Sequence, residues 1–439
     1  MRRAVFSVVM VLALVSTIRA QQWPTWRGPS ASGISAEEGL PVEWSDTEAI
    51  AWKSPLRGLG ISSPIVSGNL VFVTSQVGTG DVRPGPRLTQ GGDAAAAGER
   101  PLGSGAIPEG DSVGFLVTAL DRVSGRSVWE YELPAVGALP SVHEKHNLAS
   151  PSPVADAERV YAWFGTGQIA AVDFAGKQVW TKHLGEEYGA FQINWGHGSS
   201  PALHGNTLVL LCYHDRASYL LALDARTGDV RWKVDAPTGV TSYSTPLIVD
   251  VDGRPEVIVN SSTGISGHDL DTGARRWFVE ENNRFPVPMP LFQDGVIYTS
   301  RGYRSSPFWA IRPGGSGDVS ASHVNWRVPS GAPYISSLLY YDGLIYMMGD
   351  VGVLTVTEAS TGARVFQERI GGVYTASPVA GDGKVYLVSE NGETIVLAAG
   401  RTPRVLARNK LSARQLASPA IAGGRLFIRS DTEVYAIGK

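Results

Sequence analysis

The chain has a single cysteine, Cys212, in 439 residues. That excludes an internal disulfide framework and any cysteine-rich zinc or iron–sulfur site. An excess of charge of one sign is also missing. The 38 basic and 41 acidic residues leave a formal net charge of -3. A protein that binds nucleic acid by neutralising phosphates carries a basic surplus, so no nucleic-acid partner is expected. Charged residues are only 18% of the chain, while 43% are hydrophobic, a balance that a disordered chain or a coiled coil does not show. Beyond residue 20 no apolar run reaches the length of about 20 residues that a membrane span needs. Gly-rich phosphate loops, a Ser-His-Asp signature and a zincin motif are absent too. Glycine is abundant, with 51 residues, and points to many tight turns.

Residues 1–20 read as an address. Arg2 and Arg3 precede the apolar run Val5 to Val15, and Ile18-Arg19-Ala20 ends in a small residue where a signal peptidase can cut. No lipid-accepting cysteine follows. The mature chain is expected to begin near Gln21, as a single domain over residues 21–439, in the periplasm or outside the cell.

A repeat runs through that mature chain. Its clearest copy is Ser200-Pro201-Ala202-Leu203-His204-Gly205-Asn206-Thr207, leading into Leu208 to Leu211, followed by Ala222-Leu223-Asp224-Ala225-Arg226-Thr227-Gly228 and Trp232. The first half returns at Ser63-Pro64, Ser152-Pro153, Thr245-Pro246, Met289-Pro290, Ser337-Leu338, Ser377-Pro378 and Ser418-Pro419. With one long insertion removed the step is roughly 40 to 48 residues, the period of propeller blades. The second half returns at Ala119 to Trp129, Ala171 to Trp180 and Gly267 to Trp277. Blade five keeps Ala310 and Trp326, blade six has Phe366, and blade seven has lost the aromatic residue. Apolar runs of four to six residues separated by Gly turns read as short strands. In Asp-x-x-Thr-Gly, carboxylate and hydroxyl can accept backbone N–H bonds inside the turn. The terminal aromatic residues Trp52, Trp129, Trp180, Trp232, Trp277, Trp326 and Phe366 are expected to wedge against the neighbouring blade, each indole N–H finding a carbonyl.

The eighth unit, from Ser418, supplies three strands. Ile50-Ala51-Trp52-Lys53 looks like its missing outer strand. The expected fold is therefore all-β, an eight-bladed propeller of four antiparallel strands per blade, with an amino-terminal strand completing the last blade. Residues 77–114, rich in Gly, Pro and Ala, interrupt blade one and read as a flexible insertion. Residues 313–322 of blade five read as a smaller mobile loop.

The repeat resembles the tryptophan-docking motif of pyrroloquinoline-quinone (PQQ)-type propellers, as does the opening Trp23-Pro24-Thr25-Trp26-Arg27-Gly28-Pro29. The resemblance covers nearly all of the mature chain. It implies the fold more sharply than the function, since the superfamily holds quinone-dependent alcohol and sugar dehydrogenases and an outer-membrane assembly lipoprotein. The dehydrogenases carry an adjacent Cys-Cys disulfide that Cys212 cannot form, and their calcium ligands and catalytic Asp align with no particular residues.

In such propellers the loops entering each innermost strand, and those between second and third strands, gather at one concave mouth. Here they carry Lys145, His146, Asn147, Asn194, Trp195, His197, Tyr243 and Tyr334 in the first set. The second set carries His214, Arg216, Arg301, Tyr303, Arg304, Asp350, Glu390 and Asp431. Polar and aromatic groups converging on one axis suit a small polar ligand or a peptide. Arg301, Arg304 and His214 form a candidate anion site, with Asp350, Glu390 and Asp431 as an acidic arc opposite. His146 and His197 hold equivalent places and are expected to bond backbone carbonyls rather than a metal. Residues 250–256 read as a hairpin rather than a calcium loop, and Cys212 as an inert buried thiol. No catalytic set and no metal site is assigned. The cofactor is left unknown, with PQQ and calcium as the candidate.

The expected function is a non-catalytic exported scaffold, monomeric, that binds a small polar ligand or an envelope protein. A PQQ-dependent oxidoreductase of alcohols or sugars and an envelope assembly scaffold stand as alternatives.

Overall fold

The structure, a computed structural model, describes residues 22–78, 106–107, 109–143, 145–303 and 306–438. The amino-terminal address, most of the blade-one insertion, and Arg304 lie outside the described residues. Among the described residues no helix is long and apolar enough to cross a membrane.

Eight antiparallel sheets form the ring, in line with the repeat count. Blade three shows the pattern, with Ala202–His204 innermost, then Thr207–Tyr213, Ser218–Asp224 and Val230–Asp235 at the rim. In blade eight, Ile50–Pro55 pairs with Glu433–Ile437 as the outer strand, so the chain's start closes its end. Among the described residues the one helix, Leu184–Tyr188, is a single turn. Cores lie between sheets, as when Tyr161, Trp163, Ala171 and Trp180 of blade two pack on Leu208, Leu210, Cys212 and Leu221 of blade three. Apolar faces on both sides of the middle strands explain their continuous apolar runs.

The Asp-x-x-Thr-Gly turn does two jobs. Asp224 Oδ1 accepts from Arg226 N at 2.9 Å and Thr227 N at 3.3 Å, which sets the turn. Gly228 then takes a φ of 77° directly beneath Trp180, where a Cβ would lie 2.8 Å from the indole. Trp180 Nε1 donates to Ala225 O at 2.9 Å in the same turn. The relation repeats for Trp52 over Gly125, Trp129 over Gly176, Trp232 over Gly273 and Trp326 over Gly362. Each glycine is needed for its backbone and for its missing side chain.

Trp277 departs from the pattern. Blade five has no Thr-Gly turn to receive it. Trp277 instead lies over Gly267 of its own blade and donates to Glu256 Oε2 at 2.7 Å. Residues 313–322 take up the freed edge and are not a mobile loop. Gly317–Asp318 pairs in parallel with Arg275–Glu280, and Val319 is buried. In blade one the strands run further than the sequence suggested, since Val77 and Gly78 pair with Gly114 and Val113. The 250–256 segment is the hairpin expected, with Gly253 N donating to Asp250 Oδ1 at 2.8 Å.

The Ser of each Ser-Pro unit is a staple between blades. Ser63 N donates to Ser152 Oγ, Ser152 N to Ser200 Oγ, and Ser200 N to Thr245 Oγ1, each at 2.9 Å. The series continues from Met289 N to Ser337 Oγ, then to Ser377 Oγ and Ser418 Oγ. Met289 has no hydroxyl, so blades four and five cannot join this way. There Arg301 of blade five bonds Ser261 O at 2.7 Å and Glu281 O at 2.9 Å, and also reaches Asn260 Oδ1. Between blades eight and one, Arg429 bonds Ser62 and donates to Ser75 Oγ at 3.0 Å.

Residues 22–49 close the opposite end of the ring. Trp23 pairs with Val66, and Ile34 bridges to Ala380. Arg27 is fully buried and bonds Leu338 O of blade six at 2.8 Å and Pro378 O of blade seven at 3.3 Å. Trp44 joins the core of blades seven and eight, where the outer strand carries Ala407 in place of a tryptophan.

Candidate functional site

With one end covered, the remaining face is the mouth that the loop assignment indicated. Its centre is crossed by an ion pair. Lys145, on the loop into blade two, places Nζ 2.9 Å from Glu390 Oε1, between the second and third strands of blade seven. Thr375 donates its hydroxyl to the same oxygen. Asp350 lies alongside. Its Oδ1 accepts from Ile335 N at 3.4 Å, and burial raises its carboxyl to about 6. A carboxyl removed from water in this way resists ionisation, and the nearby Lys145 ammonium only partly offsets it.

An aromatic wall leads to Asp350. Tyr243 and Phe285 lie 6.2 Å apart, Phe285 and Tyr303 5.0 Å, and Tyr303 and Tyr334 5.5 Å. These rings are half-buried. Burial raises the hydroxyls of Tyr243 and Tyr334 above the usual phenol value, and the Asp350 charge adds to the rise at Tyr334.

Other sequence candidates fall elsewhere. Arg301 is fully buried and held by blade-four carbonyls, so the anion site proposed for it with His214 does not form. Burial lowers its guanidinium to about 10, a shift that Glu281, with Oε2 3.9 Å from Arg301 Nε, only partly offsets. Asn147 is buried and donates to Leu59 O at 2.8 Å, which caps the loop. Asn194 and Arg216 are exposed at the rim, with Arg216 Nε bonded to Gln192 Oε1 at 2.7 Å. Trp195 is half-buried against His143. Asp431 pairs with Arg414 at 3.0 Å.

The histidines make an apolar box. His197 is 1% exposed and sits 4.3 Å from the Trp163 ring and 5.1 Å from Phe191, while His214 lies 4.5 Å from Phe191. The expected carbonyl partners are missing. Neither ring nitrogen of His197, nor Nδ1 of His146, has a hydrogen-bond partner among the described residues. Desolvation lowers His146 to about 3 and His214 to about 4, and drives His197 well below its ordinary value. Among the described residues no three His, Cys, Asp or Glu side chains converge in a geometry that holds a metal ion. Cys212 is fully buried in its strand, and burial pushes its thiol up.

The staples and the Lys145–Glu390 bridge were not foreseen in the sequence. The signals were present: Met289 in place of Ser, and a lone Arg at the end of a buried strand at Arg301 and Arg429.

Blades joined by docked tryptophans and serine staples define a PQQ-like β-propeller. The chain belongs to the family described as outer membrane protein assembly factor BamB, whose model matches residues 114–312 and 317–437. A curated relative, the outer membrane protein assembly factor BamB of Yersinia pestis, is 25% identical over 304 residues, 62% of this chain and 72% of that one. Among solved structures, BamB from Moraxella catarrhalis matches with a TM-score of 0.54 at 14% identity, over 77% of this chain and 95% of that chain. The quinohemoprotein alcohol dehydrogenase of Comamonas testosteroni matches with a TM-score of 0.64 at 13% identity, over 97% of this chain and 82% of that chain. These structural likenesses establish the fold.

The described residues do not fit the quinone and cation of the dehydrogenases. The lone thiol is buried in a strand, no metal-holding set exists among the described residues, and the mouth is bridged by its own ion pair.

Proposed function

We propose that this chain is a non-catalytic exported propeller that serves as a protein-interaction scaffold in the cell envelope, with the mouth as its contact surface. The observation that carries this reading is the Lys145–Glu390 bridge across the centre of the mouth. It ties two loops together across the mouth and leaves half-buried tyrosines and a carboxylate around it. Such a surface offers aromatic anchors and a polar rim, the composition of a protein contact. Membership of a family described by outer-membrane assembly supports an envelope partner over a metabolic substrate.

The test is a titration of the purified chain with PQQ and calcium, followed by absorbance and by dye-linked oxidation of alcohols and sugars. The expected result is no stoichiometric chromophore and no turnover. A saturable chromophore with turnover overturns the non-catalytic reading and restores the oxidoreductase.

A further inference from the structure

The eight blades serve as controls on one another. In each third strand the residue after the β-bulge faces the preceding blade. In six blades it is a buried apolar side chain: Leu120, Val172, Leu223, Ile311, Leu397 and Ile437. Each packs in a core shared with the blade before it. Blade four has His268 there, and its two ring nitrogens bond Ser266 Oγ at 2.9 Å and Gly273 O at 3.1 Å. Blade six has Thr357, which is buried and whose hydroxyl has no partner among the described residues. An unbonded buried hydroxyl is costly, and threonine can both donate and accept. Two positions earlier, Thr355 is already satisfied, since its hydroxyl accepts from Gln367 Nε2 at 3.0 Å.

At this place a cleft of about 280 Å³ opens between blades five and six. Its floor is built by the buried residues Phe308, Thr355 and Thr357, and half-buried Val328 forms a wall. Arg364 and Gln367 stand exposed at the entrance, joined at 3.4 Å. An apolar cavity of roughly 150 Å³ holds a benzene ring, so the cleft has room for one substituted six-membered ring. The chemistry of the floor narrows the ligand. A sugar would press most of its hydroxyls against Phe308 and Val328 without partners, and an anion would meet no buried cation. A flat ring with one hydroxyl matches one unbonded hydroxyl in an apolar floor.

We propose that the cleft between blades five and six binds a phenol ring, with the ring against Phe308 and Val328 and its hydroxyl bonded to Thr357. The chemistry is the same for a free small phenol and for a tyrosine side chain of a partner protein. The site shares no residue with the Lys145–Glu390 mouth.

The experiment uses the purified chain with p-cresol and with toluene, which keeps the ring and lacks the hydroxyl, followed by ligand-detected NMR and calorimetry. Saturable p-cresol binding in the millimolar range or tighter is expected. Thr357→Val keeps the shape of the floor. It is expected to weaken p-cresol at least about threefold and to leave toluene unweakened. The double variant Thr355→Ile with Thr357→Leu gives blade six the residues that blade seven carries as Ile395 and Leu397. It narrows the cleft, and both ligands are expected to lose at least about tenfold. Circular dichroism and the melting temperature check that both variants are folded. A glycine–serine peptide with a central tyrosine separates the two sources. Binding of that peptide, displaced by p-cresol, assigns a protein tyrosine, and p-cresol binding without peptide binding assigns a free phenol. No saturable p-cresol binding up to about 10 mM, equal losses of both ligands in Thr357→Val, or unchanged p-cresol affinity in the double variant overturns the proposal. Those failures leave the scaffold reading standing, because it rests on the mouth.

Discussion

Lys145 and Glu390 are joined at 2.9 Å although 245 residues separate them in sequence. The contact reaches from blade two to blade seven, past blades one and eight. A ring whose ends are tied by Ile50–Pro55 and whose far face is covered by residues 22–49 holds its loops still enough for such a bridge.

Arg429→Met removes the donors that bond Ser62 and Ser75 where blade eight meets blade one. It leaves buried oxygens without partners. The expected loss is about 2–4 kcal/mol, and lysine cannot restore it because the bonds need a fork of donors. The midpoint of urea unfolding measures it. An unchanged midpoint would show that the ring closes without this staple.

Two glycine substitutions separate backbone demand from space. At Gly228, with φ 77° and the Trp180 ring 2.8 Å from any Cβ, alanine is expected to cost about 2–3 kcal/mol. At Gly205, with φ 54° and nothing within 4 Å, asparagine is expected to stay within about 0.5 kcal/mol. Thermal denaturation of the two variants gives the comparison.

Trp277→Phe deletes the donor to Glu256, a carboxylate that burial already holds above its ordinary value. The variant's Glu256 rises further. A carboxylate raised in the fold is least costly when protonated, so the stability difference from the natural chain grows as pH rises above about 4.5. Urea midpoints at acid and neutral pH report it. A difference independent of pH would place Trp277's role in packing alone.

His146, His197, His214 and His268 are all lowered chiefly by desolvation. Unfolded, they take up protons near pH 6.5. Their contribution to stability is complete above that value and is lost as pH falls below it, because the unfolded chain then binds protons that the folded chain refuses. Asp350, raised to about 6, acts in the opposite direction. The melting temperature is expected to fall from neutral to mildly acidic pH. His197→Phe, which suits the box of Trp163 and Phe191, makes that fall shallower. An equal slope in the variant removes the histidines as its cause.

The blades were legible in the sequence because each one repeats the same physical demands. Gly228 and its counterparts mark turns that only glycine fits, and the Trp that follows marks an outer strand. The closing strand at Ile50 was legible for the same reason. The cap formed by residues 22–49 was not, since Arg27 and Trp44 obey no repeat and bond to blades far along the chain. Trp277 was misassigned because its own copy of the motif looks intact, and the change lies in the turn missing from blade five. At the mouth the residue types could be placed by loop equivalence, which brought Asp350, Tyr303 and Tyr334 together. Burial could not be read that way. It removed Arg301 and Asn147 from the surface and closed His197 and His214 inside an aromatic box.

The central claim is that the mouth is a protein contact surface. The most direct measurement places a photo-crosslinking amino acid at Tyr303 in the mouth and, in a second chain, at the exposed rim residue Val230. Both are expressed in the native envelope and irradiated. The account predicts a discrete crosslinked partner from position 303 and none from position 230. A partner captured at the rim with none at the mouth would contradict it.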